Sequence, residues 1–292
     1  MKVAKFGGSS LASAEQVQKV VDIIQADPQR RFVVVSAPGK RHADDTKVTD
    51  LLLATCEGLA ASKDVRPLLT EIYARYAAIA APFQVAPELL AEIQSALQQF
   101  LTLSPNDDPH FHDKILASGE DNNARLIAGI LQASGLAARY LNPEELGILV
   151  TDEPQNARIL PASYTKINAW AETEEILVIP GFFGYTEDGE ICTFSRGGSD
   201  ISGALVAAGV NATLYENFTD VDGIFSAHPG YVHHPEPIKE LTYREMRELS
   251  YAGFTVLHDE ALMPSYRAKI PVVIKNTNNP THPGTMITNP VS

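Results

Sequence analysis

Three short glycine-containing segments carry most of the side chains in this sequence suited to handling a phosphate or a carboxylate. The first is Lys5, Phe6, Gly7, Gly8, Ser9, Ser10. Glycines let a backbone approach an anion closely, a following helix offers free amides, and Lys5 adds a full positive charge. Because the lysine precedes the glycines, this is not the P-loop pattern, in which lysine follows them. A tight turn between a strand and a helix accounts for the same residues without a ligand. The second segment runs from Ser195 through Arg196, Gly197, Gly198 and Ser199 to Asp200. An arginine fork suits a carboxylate or a phosphate, and the serines can donate to either. Asp200, near a predicted helix start, also reads as a simple cap. The third is Thr219, Asp220, Val221, Asp222, Gly223, whose two carboxylates suit ribose hydroxyls or water on magnesium, or else form an Asp-Gly turn.

Other chemistry has less support. His110 and His112 flank Phe111, and His233 adjoins His234, but no third ligand stands at metal-like spacing. These histidines read as surface polar residues, and no metal-ligating residue is assigned. Cys56 and Cys192 belong to no CxxC pair and read as small buried apolar residues of a protein from a reducing compartment. No GxSxG nucleophile elbow is present.

Such loops need a scaffold. Val3 to Phe6 is a short strand ahead of the first loop; Ser13 with Gln16 forms a capping-box pattern, and Val17, Val20, Val21 and Ile24 follow at helical spacing. Phe32 to Val35 is a β-branched run of the kind buried in a parallel sheet. From about Thr49 to Leu103 the chain is rich in Ala, Leu, Glu and Gln and reads as several helices, broken near Pro67, Pro82 and Pro87. Another helix is predicted from about Asn122 to Ala133, ended by Gly135. Ile176 to Ile179 is a second buried strand, leading through Phe182 into a hairpin that turns at Glu187, Asp188 and Gly189. Ile201 to Ala208 is helical in pattern, Ala212 to Tyr215 and Val272 to Ile274 are strands, and Tyr243 to Tyr251 and Glu260 to Ala268 are helices.

Composition narrows the function classes. The 292 residues include 45% hydrophobic and 20% charged side chains, which fits a folded domain with a sizeable core. Lysine and arginine total 23 against 36 acids, a formal net charge of -13, which argues against nucleic-acid or anionic-membrane partners. No apolar run approaches the roughly 18 residues of a membrane span, and no basic-then-apolar leader opens the chain, so a soluble, cytoplasmic protein is expected. Three glycine loops at strand ends in an acidic α/β protein favour small-molecule phosphotransfer at the carboxyl edge of the sheet.

The combination is far more specific than its parts. KFGGSS at 5–10, VVSAPGK with Thr49, SGE at 118–120, FSRGGSD at 194–200, TDVDGI at 219–224 and VLH at 256–258 occur in one order. Together with TYREMRELSYAG and IKNTNNPTHPGT, this set resembles the catalytic domain of aspartokinases, within the amino acid kinase superfamily, over nearly the whole chain. The resemblance implies a three-layer αβα sandwich on a mainly parallel sheet. Its amino-acid lobe would span about 1–175, including a helical insertion, and its nucleotide lobe about 176–292. It implies transfer of the γ-phosphoryl group of ATP, with Mg2+, to the side-chain carboxylate of L-aspartate, at the head of lysine, threonine and methionine synthesis. A homodimer is a candidate assembly, which the sequence does not decide.

By the same resemblance, Lys5 contacts the transferring phosphoryl group, Gly7, Gly8 and Ser9 line its path, and Asp200 orients Lys5. Arg196 grips the α-carboxylate of the acceptor and Glu120 its ammonium; Thr49 bonds the acceptor with Ser36 nearby, and Gly197, Gly198 and Ser199 complete the wall. Thr219, Asp220 and Phe225 match positions around the nucleotide, as do Gly230 and Thr255. These last two depart from the pattern: many members carry an arginine in a DPR triplet where this chain has His228, Pro229 and Gly230, and a lysine before VLH where Thr255 stands. Lys275 and Arg267 are the residues offered to compensate. The departures keep a weak or inactive binding module open as an alternative, beside a kinase acting on a different amino acid. Aspartokinases also carry C-terminal ACT modules, and the sequence given ends just past the catalytic pattern, so no feedback inhibition by that route is expected.

Overall fold

In the computed structural model, which describes residues 1–195, 197–225, 236–252 and 257–289, the first glycine segment follows strand β1 (Lys2–Phe6) as a 3-10 turn, Gly8–Leu11. Helix α1 (Ala14–Ala26) comes next. Ser13 caps it, accepting from the Gln16 amide, while the Gln16 side chain donates to the Ser9 carbonyl instead of closing the capping box. The chain returns as β2 (Arg30–Val35) and then enters the predicted helical region: α2 (Val48–Ala60), α3 (Arg66–Ala80) and α4 (Pro87–Gln98). Pro67 and Pro87 stand in the first turns of α3 and α4, where a proline costs no hydrogen bond.

Helix α5 runs Phe111–Ala133, beginning well before the predicted start near Asn122. Its added turns bury the polar side chains Asp113 and Glu120, and Asn122 and Asn123 follow at once; all four are at most 4% exposed, and they interrupt the apolar periodicity from which a helix is read. Beyond it lie β3 (Ala138–Tyr140), α6 (Pro143–Leu146), α7 (Ala162–Asn168), β4 (Ile176–Pro180) and a hairpin of β5 (Phe183–Tyr185) and β6 (Ile191–Thr193). Helix α8 (Gly198–Gly209) begins inside the second glycine segment. The remaining elements are β7 (Leu214–Thr219), β8 (Glu240–Thr242), α9 (Tyr243–Tyr251), α10 (Met263–Arg267), β9 (Val272–Asn276) and β10 (Thr285–Thr288). The short strands β3, β8 and β10 carry no apolar run long enough to announce them, and β7 extends four residues beyond the predicted Tyr215.

Eight strands form one sheet in the order β3-β4-β2-β1-β7-β9-β10-β8, parallel except for β9 against β10; β5 and β6 form a separate pair. Alternation divides the sheet's side chains between two apolar layers. Ala4, Phe6, Val33, Val35 and Val178 face a core completed by α1 to α5, and Val3, Phe32, Val34, Leu177 and Ile179 face one completed by α7 and α8. Strands buried on both faces are what make the central runs continuously apolar. The result is the expected three-layer αβα sandwich.

Candidate active site

Parallel register decides where the loops meet. Phe6 pairs with Val35 and Phe218, and Val35 with Pro180, so β1, β2, β4 and β7 end at one level. Residues 7–9, 36–40, 181–182 and 219–220 therefore emerge at the same carboxyl edge. The first two loops touch backbone to backbone: the Gly39 amide donates to the Gly8 carbonyl at 2.8 Å, and a Cβ on Gly39 would lie 2.6 Å from the Gly8 carbonyl carbon. Only glycine fits there.

Lys5, on β1, is 7% exposed, and its Nζ lies 2.8 Å from Asp200 Oδ1. Asp200 sits in the first turn of α8, whose cap is Gly197 in the left-handed region at φ 71° with no side-chain capping bond. Asp200 is thus no cap; its carboxylate faces Lys5 and also accepts from Asn217 Nδ2 at 2.8 Å, while Tyr215 donates to its carbonyl. The pair lies beside Gly7, where a Cβ would stand 3.5 Å from the lysine nitrogen. The first and second glycine segments, 190 residues apart in sequence, share one charge pair.

Next to this pair opens a cavity of about 600 Å³ bounded by Gly8, Ser9, Ser36, Thr49, Glu120, Gly197, Gly198, Ser199 and Asp220. Nine of the residues singled out in the sequence are therefore brought to one wall. Lys5, Gly7 and Asp200 are not themselves lining residues, but Gly7 and Asp200 adjoin Gly8 and Ser199, which are; Thr219, at the end of β7, and Phe225, bridged to Pro237, also stand outside that wall. Arg196, Gly230 and Thr255 lie outside the described residues, as do His228, Pro229, His233 and His234. Lys275 and Arg267, the residues offered to compensate, are not among those bounding this cavity.

The carboxyl group of Glu120 is 4% exposed, and burial pushes its pKa well above the usual carboxylate range; the nearby Asp121 adds to the rise and the Ala37 amide opposes it. A buried acid of this kind gains its charge most readily when a cation arrives to pair with it. Asp222, by contrast, is engaged by Asn276 and Asn279, which leaves Asp220 as the acid of the third segment on the cavity.

Several contributors escaped the sequence reading. Lys40 and Lys47 bring cationic residues, and His42 an imidazole, to the same wall from an irregular loop. Arg75 of α3, 4% exposed, holds that loop by donating to the carbonyls of Thr46 at 2.7 Å and Gly39 at 2.6 Å. Asn123 fixes the Ser36 carbonyl, and Tyr76 donates to the carbonyl of Gly119, beside Glu120. Phe182 joins the wall with φ 84°, a strained backbone for an aromatic residue, its amide held by Ser202. The helical insertion is therefore a brace for the cavity. No periodicity announces Arg75, Tyr76 and Asn123, since each holds a backbone carbonyl far away in sequence.

One expectation fails outright. His110 is not a surface residue: it is 7% exposed, with Asp152 and Cys192 around its ring. Both cysteines are free and buried, as expected. Among the described residues no helix is long and apolar enough to cross a membrane.

A family model described as "Amino acid kinase family" matches residues 1–276. The chain is 51% identical over 287 residues to Aspartokinase 3 of Bacillus subtilis (strain 168), covering 98% of itself and 63% of that protein. It superposes on the aspartate kinase of Clostridium acetobutylicum with a TM-score of 0.83 at 36% identity, covering 99% of itself and 63% of that chain. It also superposes on E. coli aspartokinase III in complex with aspartate and ADP, with a TM-score of 0.86 at 28% identity, covering 100% of itself and 65% of that chain. It spans less than two thirds of each of these three proteins. With its sheet order, its three converging glycine loops and the match over residues 1–276, the chain belongs to the amino acid kinase family.

Proposed function

We propose that this chain is an aspartate kinase catalytic domain, transferring the γ-phosphoryl group of ATP to the side-chain carboxylate of L-aspartate to give 4-phospho-L-aspartate and ADP. The observation that carries the reading is the Lys5–Asp200 pair at 2.8 Å beside a cavity that also holds Glu120. The E. coli relative, solved with aspartate and ADP, supports the same acceptor and nucleotide.

An aspartate side chain, with a pKa of about 3.9 in water, is already ionised at neutral pH, so no general base is needed. One carboxylate oxygen attacks the γ-phosphorus as the bond from that phosphorus to the bridging oxygen breaks; ADP leaves with the electron pair, and no proton changes hands. The barrier is the approach of two anions, so catalysis rests on positioning and fixed positive charge. Lys5 supplies that charge at the moving group, and Asp200, held by Asn217, keeps the ammonium aimed. Gly7, Gly8 and Ser9 line the phosphoryl path, with the Gly7 amide already given to the Phe218 carbonyl. Glu120 receives the acceptor's ammonium and Arg196 its α-carboxylate, with Thr49, Ser36, Gly197, Gly198 and Ser199 shaping the pocket. Lys40 and Lys47 take up part of the role that an arginine at 230 and a lysine at 255 play in relatives, while Thr219, Asp220, Phe225, Gly230 and Thr255 surround the nucleotide. Asp220, a hard oxygen donor on the cavity wall, fits a nucleotide-bound Mg2+, which when present neutralises phosphate charge.

In this reading residues 1–175 mainly hold the acceptor and 176–292 the nucleotide, and the chain works in the cytoplasm, as a homodimer, at the entry to lysine, threonine and methionine synthesis. The test is ADP release with and without L-aspartate, with the acyl phosphate trapped by hydroxylamine as a hydroxamate. Aspartate-dependent ADP release with hydroxamate formation supports the reading. Gly230 and Thr255 favour one second reading, a binding module without turnover, and calorimetric binding of aspartate and MgATP with no ADP release would establish it.

A further inference from the structure

At the opposite end of the long helix from its glycine terminator, three residues widely separated in sequence converge. His110 immediately precedes α5, Asp152 lies on the loop after β3 and α6, and Cys192 is the middle residue of β6. His110 Nε2 is 2.6 Å from Asp152 Oδ1, Cys192 Sγ is 3.7 Å from the same oxygen, and one donor atom from each residue lies within 4.8 Å of the others. We propose that His110, Asp152 and Cys192 form a binding site for a zinc-class divalent cation, separate from the phosphotransfer cavity.

The donor set selects the ion. Imidazole, thiolate and one carboxylate suit zinc or its congeners, whereas magnesium and calcium take oxygen ligands. Zinc bonds of about 2.0–2.3 Å in a tetrahedron place neighbouring donors about 3.3–3.8 Å apart. The gap between Cys192 and Asp152 already has that width. The gap between His110 and Asp152 must open by roughly 0.7 Å to reach it, and the Asp152 side chain, 59% exposed, is free to give way. That same exposure provides an entry path, while Cys192 at 0% and His110 at 7% form a dry inner wall.

The surroundings are arranged as a metal site requires. The other ring nitrogen, His110 Nδ1, faces Glu190 Oε2 at 3.4 Å and Asp108 Oδ1 at 3.8 Å, so carboxylates stand behind the histidine as they do behind metal-ligating imidazoles. Lys114 bonds Asp108 Oδ2 at 2.6 Å and so holds that carboxylate in place. Asp113, 0% exposed, accepts from the amides of Gln155 at 2.9 Å and Thr193 at 2.7 Å, which pins the two ligand-bearing segments to α5. On binding, the cation takes the place of the Cys192 thiol proton, which leaves to solvent; nothing is oxidised or reduced. One thiolate and one carboxylate then balance the two positive charges. The bound ion ties α5, which carries Glu120, to the β5–β6 hairpin.

The test is titration of the chelator-treated full chain with cobalt(II) chloride, read by absorption. A 1:1 complex with a thiolate-to-cobalt charge-transfer band, displaced by one equivalent of zinc chloride, is expected. Cys192→Ala should abolish the band, and Asp152→Asn and Glu190→Gln should each weaken binding by about 10–100-fold. Asp152→Asn and Glu190→Gln alter partly exposed side chains, so circular dichroism of the metal-free forms should match the parent and separate ligand loss from misfolding. Absence of the band in the parent, or a band of equal strength in Cys192→Ala, overturns the proposal. Neither readout depends on phosphotransfer, so failure here leaves the kinase reading standing.

Discussion

Replacing Lys5 by methionine, Asp200 by asparagine, and both together tests whether the pair acts as one device. At 2.8 Å, in a setting with an effective dielectric of about 20, the two charges attract by about 6 kcal/mol before the cost of desolvating them. Both side chains are shielded, at 9% and 15% exposure, so water replaces little of the attraction when one partner is lost. Removing a group that meets charge developing in the transition state lowers turnover by about 10²–10³, or roughly 2.7–4 kcal/mol, and this is the expectation for Lys5→Met. Asp200→Asn leaves the ammonium in place but frees its aim, since Asn217 no longer helps hold a charged partner; a loss of about 10–10² is expected, smaller than the effect of removing the donor itself. Because Asp200 works through Lys5, the double variant should be no slower than Lys5→Met alone. The assay is aspartate-dependent ADP release at saturating substrates, with urea unfolding run in parallel to exclude loss of fold. If the two single losses multiply in the double variant, Asp200 acts independently of Lys5 and the reasoning fails.

Three further outcomes follow from the geometry. Glu120→Gln should raise the KM for L-aspartate by roughly 10–100-fold, the worth of a charged hydrogen bond, with a smaller change in kcat. It should also flatten the pH dependence of stability. A raised acid pKa means that Glu120 is harmless below its unfolded value of about 4.3 and costs stability as pH rises from there toward its folded value, so the parent should lose thermal stability relative to the variant as pH rises above that unfolded value. Arg75→Lys cannot serve both carbonyls of Thr46 and Gly39, so urea unfolding should show a loss of about 1–3 kcal/mol and substrate KM should rise; unchanged KM would remove Arg75 from the role of brace. Gly39→Ala forces a methyl group against the Gly8 carbonyl carbon, so the two loops must part, at a cost of about 1–3 kcal/mol in unfolding with lost activity; a neutral result would mean that their contact is unimportant.

The sequence alone determined what local physics can write into a chain. The apolar runs at 32–35 and 176–179 must be buried on both faces and so specified parallel strands, and the glycine segments after β1 and before α8 were legible because glycine and charge at a strand end have few other uses. The family resemblance added the roles of Glu120, Thr49 and Arg196, which no spacing would have supplied. The tertiary structure decided everything that depends on who meets whom. Parallel register sets Asn217 of β7 beside Lys5 of β1, and Asn217 holds the Asp200 carboxylate of α8 against the lysine. The inner face of α5 carries acids and asparagines, so its first turns were invisible until they were seen to pack against loops that satisfy them. Arg75 grips carbonyls 29 and 36 residues away, and His110, Asp152 and Cys192 gather across 82 residues of sequence. Periodicity records which face of an element is buried, but the partner of a buried polar group is chosen by the fold, and that choice leaves no local trace.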